Sequence, residues 1–322
     1  MRDASPACPI AIDAMTPIDA IGTTHERCAD RSDVRIVSLV PSITELLCDL
    51  GLASSIVGRT GYCVHPADVV ESIAKVGGTK TVNVAKIRKL APTHLVVNID
   101  ENEKPTVDAL ANFVPHVIVT HPQEPRDNLD LYRLFGHVFA REREAEALCG
   151  RFDTAWSSLE QARAASSWPE RRVLYLIWKD PWMTIARETY IASMLALIGW
   201  EQVDVSKPMS SLARKRECSD LEPTTLGSRV RGNRGRVAMN GGSQRYPAID
   251  LARAARSADL VLLSSEPYRF TAEHVAEVAA ACAIDDGRVV DVRLVDGELL
   301  SWYGSRAIAG LDYLGRLAHS DL

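Results

Sequence analysis

The feature that most restricts the fold is an alternation. Short β-branched apolar runs recur between amphipathic helical segments in both halves of the chain, on either side of one long helical stretch. "RIVSLVP" (35–41) is such a run, stopped by proline. "SITELLCDLG" follows, with Leu46, Leu47 and Leu50 on one face and Gly51 at its end. Ser42 and Glu45 have the S-x-x-E spacing of a capping box, which predicts that each satisfies a free backbone N–H at the helix start. "SIVGR" (55–59), "THLVVNI" (93–99) and "HVIVT" (116–120) predict further strands, with helices in "NVAKIRKLAP" and "KPTVDALANF". Apolar strands separated by helices imply a parallel sheet covered on both faces.

The second half repeats the layout. "RRVLYLIW" (171–178), "ADLVLLSS" (258–265) and "RVVDVRLV" (288–295) predict strands; "TYIASMLALIG" (189–199), "TAEHVAEVAAACA" (271–283) and "SRAIAGLDYLGRLA" (305–318) predict helices. Between the halves, Leu131, Leu134, Phe135, Val138, Ala145, Leu148, Phe152, Trp156 and Leu159 form one helical stripe. Gly136 and Gly150 each weaken it by about 1 kcal/mol relative to alanine, which places a break near 136–141. The part from 141 to 165 would span roughly 37 Å, enough to bridge two units and hold their separation. The expected fold is α/β, two Rossmann-like lobes joined by a single long backbone helix. Its parts are a disordered tail (1–33), a first lobe (34–128), a connecting helical segment (129–167) and a second lobe (168–322). Within the second lobe, 209–244 lacks apolar periodicity and reads as a solvated, disordered insertion. Its arginines come without stacking aromatics, and the net charge of −5 gives no ground for a nucleic-acid partner.

Asp13, Asp19, Pro9 and Pro17 interrupt every apolar run near the start, and Cys28 follows "THER" rather than a lipoprotein signal. The chain therefore reads as cytoplasmic as written. No apolar run approaches the length of a membrane helix, so no membrane insertion is expected. Seven cysteines, an odd number with irregular spacing, fit reduced thiols. Cys48 and Cys149 fall on apolar helix faces as small core residues.

Enzyme signatures are absent: no P-loop, no G-x-G-x-x-G after a strand, no H-E-x-x-H and no G-x-S-x-G. "VGGTK" (76–80) lacks the P-loop spacing and reads as a turn. "RTGYCVHP" (59–66) sets Tyr62, Cys63 and His65 in one loop. At i,i+2 in extended backbone, Cys63 and His65 point to opposite sides, which argues against a shared metal or a nucleophile–base pair. A structural turn with a packed cysteine, a pocket edge and a catalytic pair remain the alternatives. Aromatics recur just after predicted strands: Trp178 and Trp182, Tyr268 and Phe270, Trp302 and Tyr303. Ligands bind outside the carboxyl ends of such strands, which suggests a large, flat, apolar ligand. Arg306, Lys179 and Arg187 are the cations offered for its carboxylates or phosphate.

Taken in order, "RIVSLVPSITELLCDLGL…IVGRTGYCVHP", "VGGTK…NVAKIRKLAPTHLVV", the long helix, "VLYLIWKDPWMTI…YIASMLALIGW" and "ADLVLLSSEPYRF" resemble the class III periplasmic-binding-protein superfamily. These are helical-backbone metal receptors, similar to vitamin B12-binding and iron-chelate substrate-binding proteins. The resemblance covers 34–207 and 245–317. It implies non-catalytic binding of a cobalamin-like corrinoid, haem or iron-siderophore between two lobes. It also implies delivery to an ABC transporter permease and no required cofactor. Carried over by position, the ligand would meet Tyr62, Cys63, His65, Thr79, Trp178, Asp180, Trp182, Glu266, Tyr268, Trp302, Tyr303 and Arg306. No self-contained metal site is expected, with His65 at most an axial contact to a metal inside the ligand. Such receptors dock through one surface glutamate per lobe; here those positions read Ala85 and Asp250 or Leu251. The resemblance implies a periplasmic location if the start lies elsewhere. The alternative expectation is a cytosolic enzyme or chaperone acting on such a cofactor through Cys63 or His65.

Overall fold

Each predicted alternation resolves into a sheet. The computed structural model describes residues 17–30, 32–205, 245–282 and 290–320. The first lobe runs β1 (Ile36–Ser38), α1 (Pro41–Asp49), β2 (Ile56–Arg59), α2 (Ala67–Val70), β3 (Ala74–Lys75), α3 (Val84–Leu90), β4 (His94–Asn98), α4 (Lys104–Ala111) and β5 (His116–Thr120). Its five strands are parallel, in the order β3-β2-β1-β4-β5. Two helices follow, α5 (Asp127–Val138) and α6 (Glu142–Ala165).

The second lobe continues with β6 (Arg171–Trp178), β7 (Met183–Thr184), α7 (Tyr190–Ala196), β8 (Trp200–Gln202), α8 (Leu251–Ala255), β9 (Leu260–Ser264), α9 (Ala272–Ala281), β10 (Asp291–Val295), α10 (Gly297–Ser301) and α11 (Arg306–His319). Here β10, β9, β6 and β8 pair in parallel, and only the short β7 runs antiparallel to β6. The segment 209–244 lies outside the described residues.

Side-chain alternation along the strands divides the interior into three. Val37, Leu95 and Val97 pack with Ile87 and Leu110 on the outer face of the first sheet. Leu174, Leu176, Val261 and Leu263 pack with Val278 on the outer face of the second. The residues of opposite parity, Ile36 and Val96 in the first lobe and Val173, Tyr175, Leu260 and Leu262 in the second, belong to one shared core. Phe135 of α5, Phe152 of α6 and Leu311 of α11 complete it. A single apolar interior therefore runs through both lobes.

The long helical stripe breaks at Phe139–Arg141, where Ala140 takes φ +53°. Gly136 does more than weaken α5. A Cβ there would lie 2.5 Å from the Cβ of Ala145, and Arg141 N–H donates to its carbonyl at 2.6 Å. The missing side chain lets α5 and α6 cross closely. At 24 residues α6 is about 36 Å long, and it packs on both α5 and α11.

Three expectations are corrected. The capping box does not form: α1 begins at Pro41 after Val40, whose side chain makes no cap, and Glu45 turns to Arg306 instead. A bidentate pair with a guanidinium outweighs a solvent-accessible cap. The helix predicted over 189–199 spans only Tyr190–Ala196, capped by Thr189. The supposed disordered tail is placed against the first lobe over 17–30. Ala20 N–H donates to the Val119 carbonyl at 2.9 Å, Cys28 N–H to that of Val138 at 2.8 Å, and Arg27 pairs with Glu142 at 2.7 Å. Buried Asp19 accepts from Val119 N–H and meets His25 at 3.1 Å, which fixes the segment.

Candidate functional site

Loops at the carboxyl ends of strands in the two lobes meet, through His65 and Glu298, Glu101 and Tyr303, and Asp100 and Arg245, and the space they border is the candidate cleft. Its first wall is the loop after β2. Cys63 is fully buried there, with the Thr44 and Thr60 hydroxyls 3.1 and 3.2 Å from its sulfur. Burial pushes its thiol up, against those hydrogen bonds. Cys63 anchors the loop; it neither lines the cleft nor offers a thiolate, which corrects its place among the candidates. A turn closed by the Cys63 N–H on the Thr60 carbonyl leaves its neighbours outward, Tyr62 65% and Val64 45% exposed. The Tyr62 ring passes over Gly78, with Thr79 half-buried beside it and its carbonyl accepting from Asn102 at 3.0 Å.

His65 crosses to the other lobe. Its Nε2 lies 2.9 Å from Glu298 Oε2, and its ring stands edge-on to Trp302 at 5.6 Å. Arg306 binds both oxygens of Glu45 at 2.7 Å, reaches Glu298 at 3.2 Å and lies over the Trp302 ring at 5.0 Å. Trp302 Nε1–H donates to Glu266 at 2.8 Å, and Tyr303 O–H donates to Glu101 at 2.6 Å. Trp302 and Tyr303 are therefore buried, forming the floor that joins the lobes rather than an open wall. Behind them Gly304, at φ +82°, is held by Asn128 Oδ1 on its N–H and by the Tyr132 hydroxyl on its carbonyl.

The second lobe's rim is aromatic. Trp178, 41% exposed, meets Tyr268 edge-on at 5.6 Å. Asp180 is exposed in a left-handed conformation, φ +61°. Trp182 stacks on Phe270, which Tyr268 also contacts at 4.7 Å, and both half-buried rings pack on the second lobe's outer core. The ligand cations expected from the sequence are engaged as well. Lys179 pairs with Glu277 and Arg187 with Glu201.

Electrostatically the floor is rich in carboxyl groups. Burial, reinforced by Glu266 and Asp100 and opposed by the Tyr303 hydrogen bond, pushes Glu101 up to about 7. Burial also raises Glu266, against the Trp302 hydrogen bond. Asp100 is held low: the hydrogen bond to His121 and the Arg245 charge outweigh its burial.

Glu45, Glu101, Glu298, His121 and Arg245 had no signature in the sequence. Glu45 resembled a cap, and the partners of His65 lie 233 residues away. Among the described residues no group of three or more His, Cys, Asp or Glu is placed to hold a metal ion.

The described residues form two α/β lobes on a shared core, with strand-end loops of one lobe meeting those of the other. The family model for periplasmic binding proteins matches residues 36–221, and the chain belongs to that family. Nothing in that family membership supports the enzymatic alternative, and the residues it relied on are engaged, Cys63 buried and His65 paired with Glu298. The uncharacterized ABC transporter substrate-binding lipoprotein YvrC of Bacillus subtilis is 28% identical over 170 residues, 51% of this chain. The match spans 53%, about half, of that relative's length. Among solved structures, the periplasmic vitamin B12-binding protein BtuF of Vibrio cholerae superposes with TM-score 0.64 at 16% identity, covering 89% of this chain and 97% of that one. The periplasmic haem-binding protein RhuT of Roseiflexus gives 0.66 at 17%, covering 89% and 98%. A periplasmic haem-binding protein of Pseudomonas aeruginosa gives 0.68 at 17%, covering 89% and 92%. These likenesses show the two-lobed fold. The cytoplasmic expectation is overturned by the same findings, since the family is periplasmic and the matched relative is a lipoprotein.

Proposed function

We propose that this chain binds a metal chelate, a cobalamin-like corrinoid, haem or an iron-siderophore, between its lobes and presents it to an ABC transporter permease. The observation that carries the reading is the continuity of the cleft. From Tyr62 the loop leads to His65, His65 to Trp302, Trp302 to Glu266, and that loop to Tyr268 and Trp178. Exposed rings from both lobes thus flank one polar floor, the setting for a large, flat ligand. His65 contributes its second ring nitrogen to the metal of the chelate, Glu298 holding the first. Thr79 and Asp180 edge the site. The relatives' names, vitamin B12-binding and haem-binding, support the same chemistry. A thermal-shift and absorbance screen with cyanocobalamin, cobinamide, haem and ferric siderophores tests it. A true ligand at about 1,000 times its dissociation constant raises stability by about 4 kcal/mol. Absence of binding by every one of these chelates rejects the reading.

A further inference from the structure

The charges around the cleft narrow the kind of chelate, on the reading of the site just given. Every cation that the sequence offered to a ligand's carboxylates is taken. Arg306 has both oxygens of Glu45 and one of Glu298, Lys179 has Glu277 at 2.6 Å, and Arg187 has Glu201 at 2.8 Å. Arg245, which reaches the first lobe, is held by Asp100 and His121. Two carboxyl groups of the floor are in the opposite position. Among the described residues Glu101 receives the Tyr303 hydroxyl and Glu266 the Trp302 indole, and neither has a cation within ion-pair distance. The Ser305 hydroxyl, buried beside Arg306, has no hydrogen-bond partner among the described residues. Both carboxyl groups are raised, first by burial, which is the signature of charge left without compensation.

A ligand bearing free carboxylates or catecholates would crowd further acids against Glu101 and Glu266, while Arg306, Arg245, Lys179 and Arg187 already hold other partners. A ligand bearing N–H donors or positive charge would meet acceptors on the floor and the faces of Tyr62 and Trp178 above it.

We propose that the cleft selects an uncharged or cationic metal chelate that presents amide or amine N–H donors, and rejects chelates with free carboxylates or catecholates, Glu101 and Glu266 being the specificity residues. Calorimetric titration of the full chain tests this with a matched pair. The probes are aquocyanocobinamide, a cationic corrinoid carrying amides, and the same corrinoid with its amides hydrolysed to carboxylates. The amide form should bind about 30-fold tighter or better. In Glu101→Gln/Glu266→Gln that preference should shrink by about tenfold, with the circular-dichroism spectrum unchanged. If the double variant does not fold, Glu266→Gln alone should shrink the preference by about threefold. Equal or tighter binding of the carboxylate form overturns the proposal, as does an unchanged preference in a folded variant. Binding of haem or a ferric tricatecholate without binding of the amide corrinoid overturns it too, while leaving chelate binding intact. No binding by any of these probes removes both.

Discussion

The two lobes meet across the cleft with opposite equipment. The first supplies acids and imidazoles: Glu45 from α1, and Asp100, Glu101, His65 and His121 from strand-end loops. The second supplies Arg245, Arg306 and the ring donors Trp302 and Tyr303, together with Glu266 and Glu298. Of the cross-lobe pairs described above, only His65–Glu298 runs in the reverse sense, base from the first lobe and acid from the second. Complementary charge therefore fixes how the lobes sit, while the shared core holds them together. The second lobe's 302–306 segment is the inserted part and the first lobe is its socket.

The largest effect should come from emptying that socket. Arg306→Ala leaves Glu45 without its cation and Glu298 with His65 alone, and should cost about 3 kcal/mol by chemical denaturation. Arg172→Ala, which breaks an exposed pair with Asp259 inside the second lobe, should cost under about 1 kcal/mol. Equal losses would refute the socket. Next, Gly304→Ala should cost about 2 kcal/mol. Its backbone is left-handed, and the added carbon would lie 3.2 Å from the Ser42 carbonyl oxygen and 3.3 Å from Leu46 Cβ.

Two predictions concern protons at the two ends of the first sheet. Away from the cleft, burial and then the neighbouring His116 and His25 lower His94 to about 4, below its ordinary value near 6.5. The unfolded chain takes up that proton first, so stability is lost as pH falls from about 6.5 to about 4, by about 2 kcal/mol. In His94→Gln this loss, read as the change in Tm between pH 7 and pH 4.5, should largely vanish. At the cleft end the sign is reversed. Glu101 is raised to about 7, so the folded chain holds the proton longer, and stability falls as pH rises from about 4.5 through 7. Glu101→Gln should therefore gain about 1–2 kcal/mol over wild type at pH 8 and nothing at pH 4.5; a gain independent of pH would exclude this assignment. The smallest stability effect belongs to Tyr62→Ala, within about 0.5 kcal/mol because the ring is exposed, while chelate affinity should drop about tenfold.

Local periodicity made most of the fold legible. β4, β5, β9 and α11 stand almost where their apolar patterns put them, because each buries a face that the pattern marks. Glu45 shows where this ends. Its spacing from Ser42 satisfied a local rule, yet its partner lies 261 residues on. Cys63 and His65 were separable by their i,i+2 spacing, one buried and the other turned to the second lobe. Trp178 ends β6 and Trp302 follows the short helix after β10, but only contact between the lobes decides that one is exposed and the other buried. The acids Glu101 and Glu298 gain meaning only from groups opposite them, so no window along the chain could show them.

The shared core has a thermodynamic consequence. Ile36, Phe135, Phe152, Tyr175 and Leu311 belong to one interior, so neither lobe keeps its buried surface if the other unfolds. Melting should then be a single cooperative event, with calorimetric and van't Hoff enthalpies in agreement. Occupancy of the cleft would accordingly be felt at every residue of that interior. Amide exchange in β5 and in β10, at the outer edges of the two sheets, should slow together when the cleft is filled.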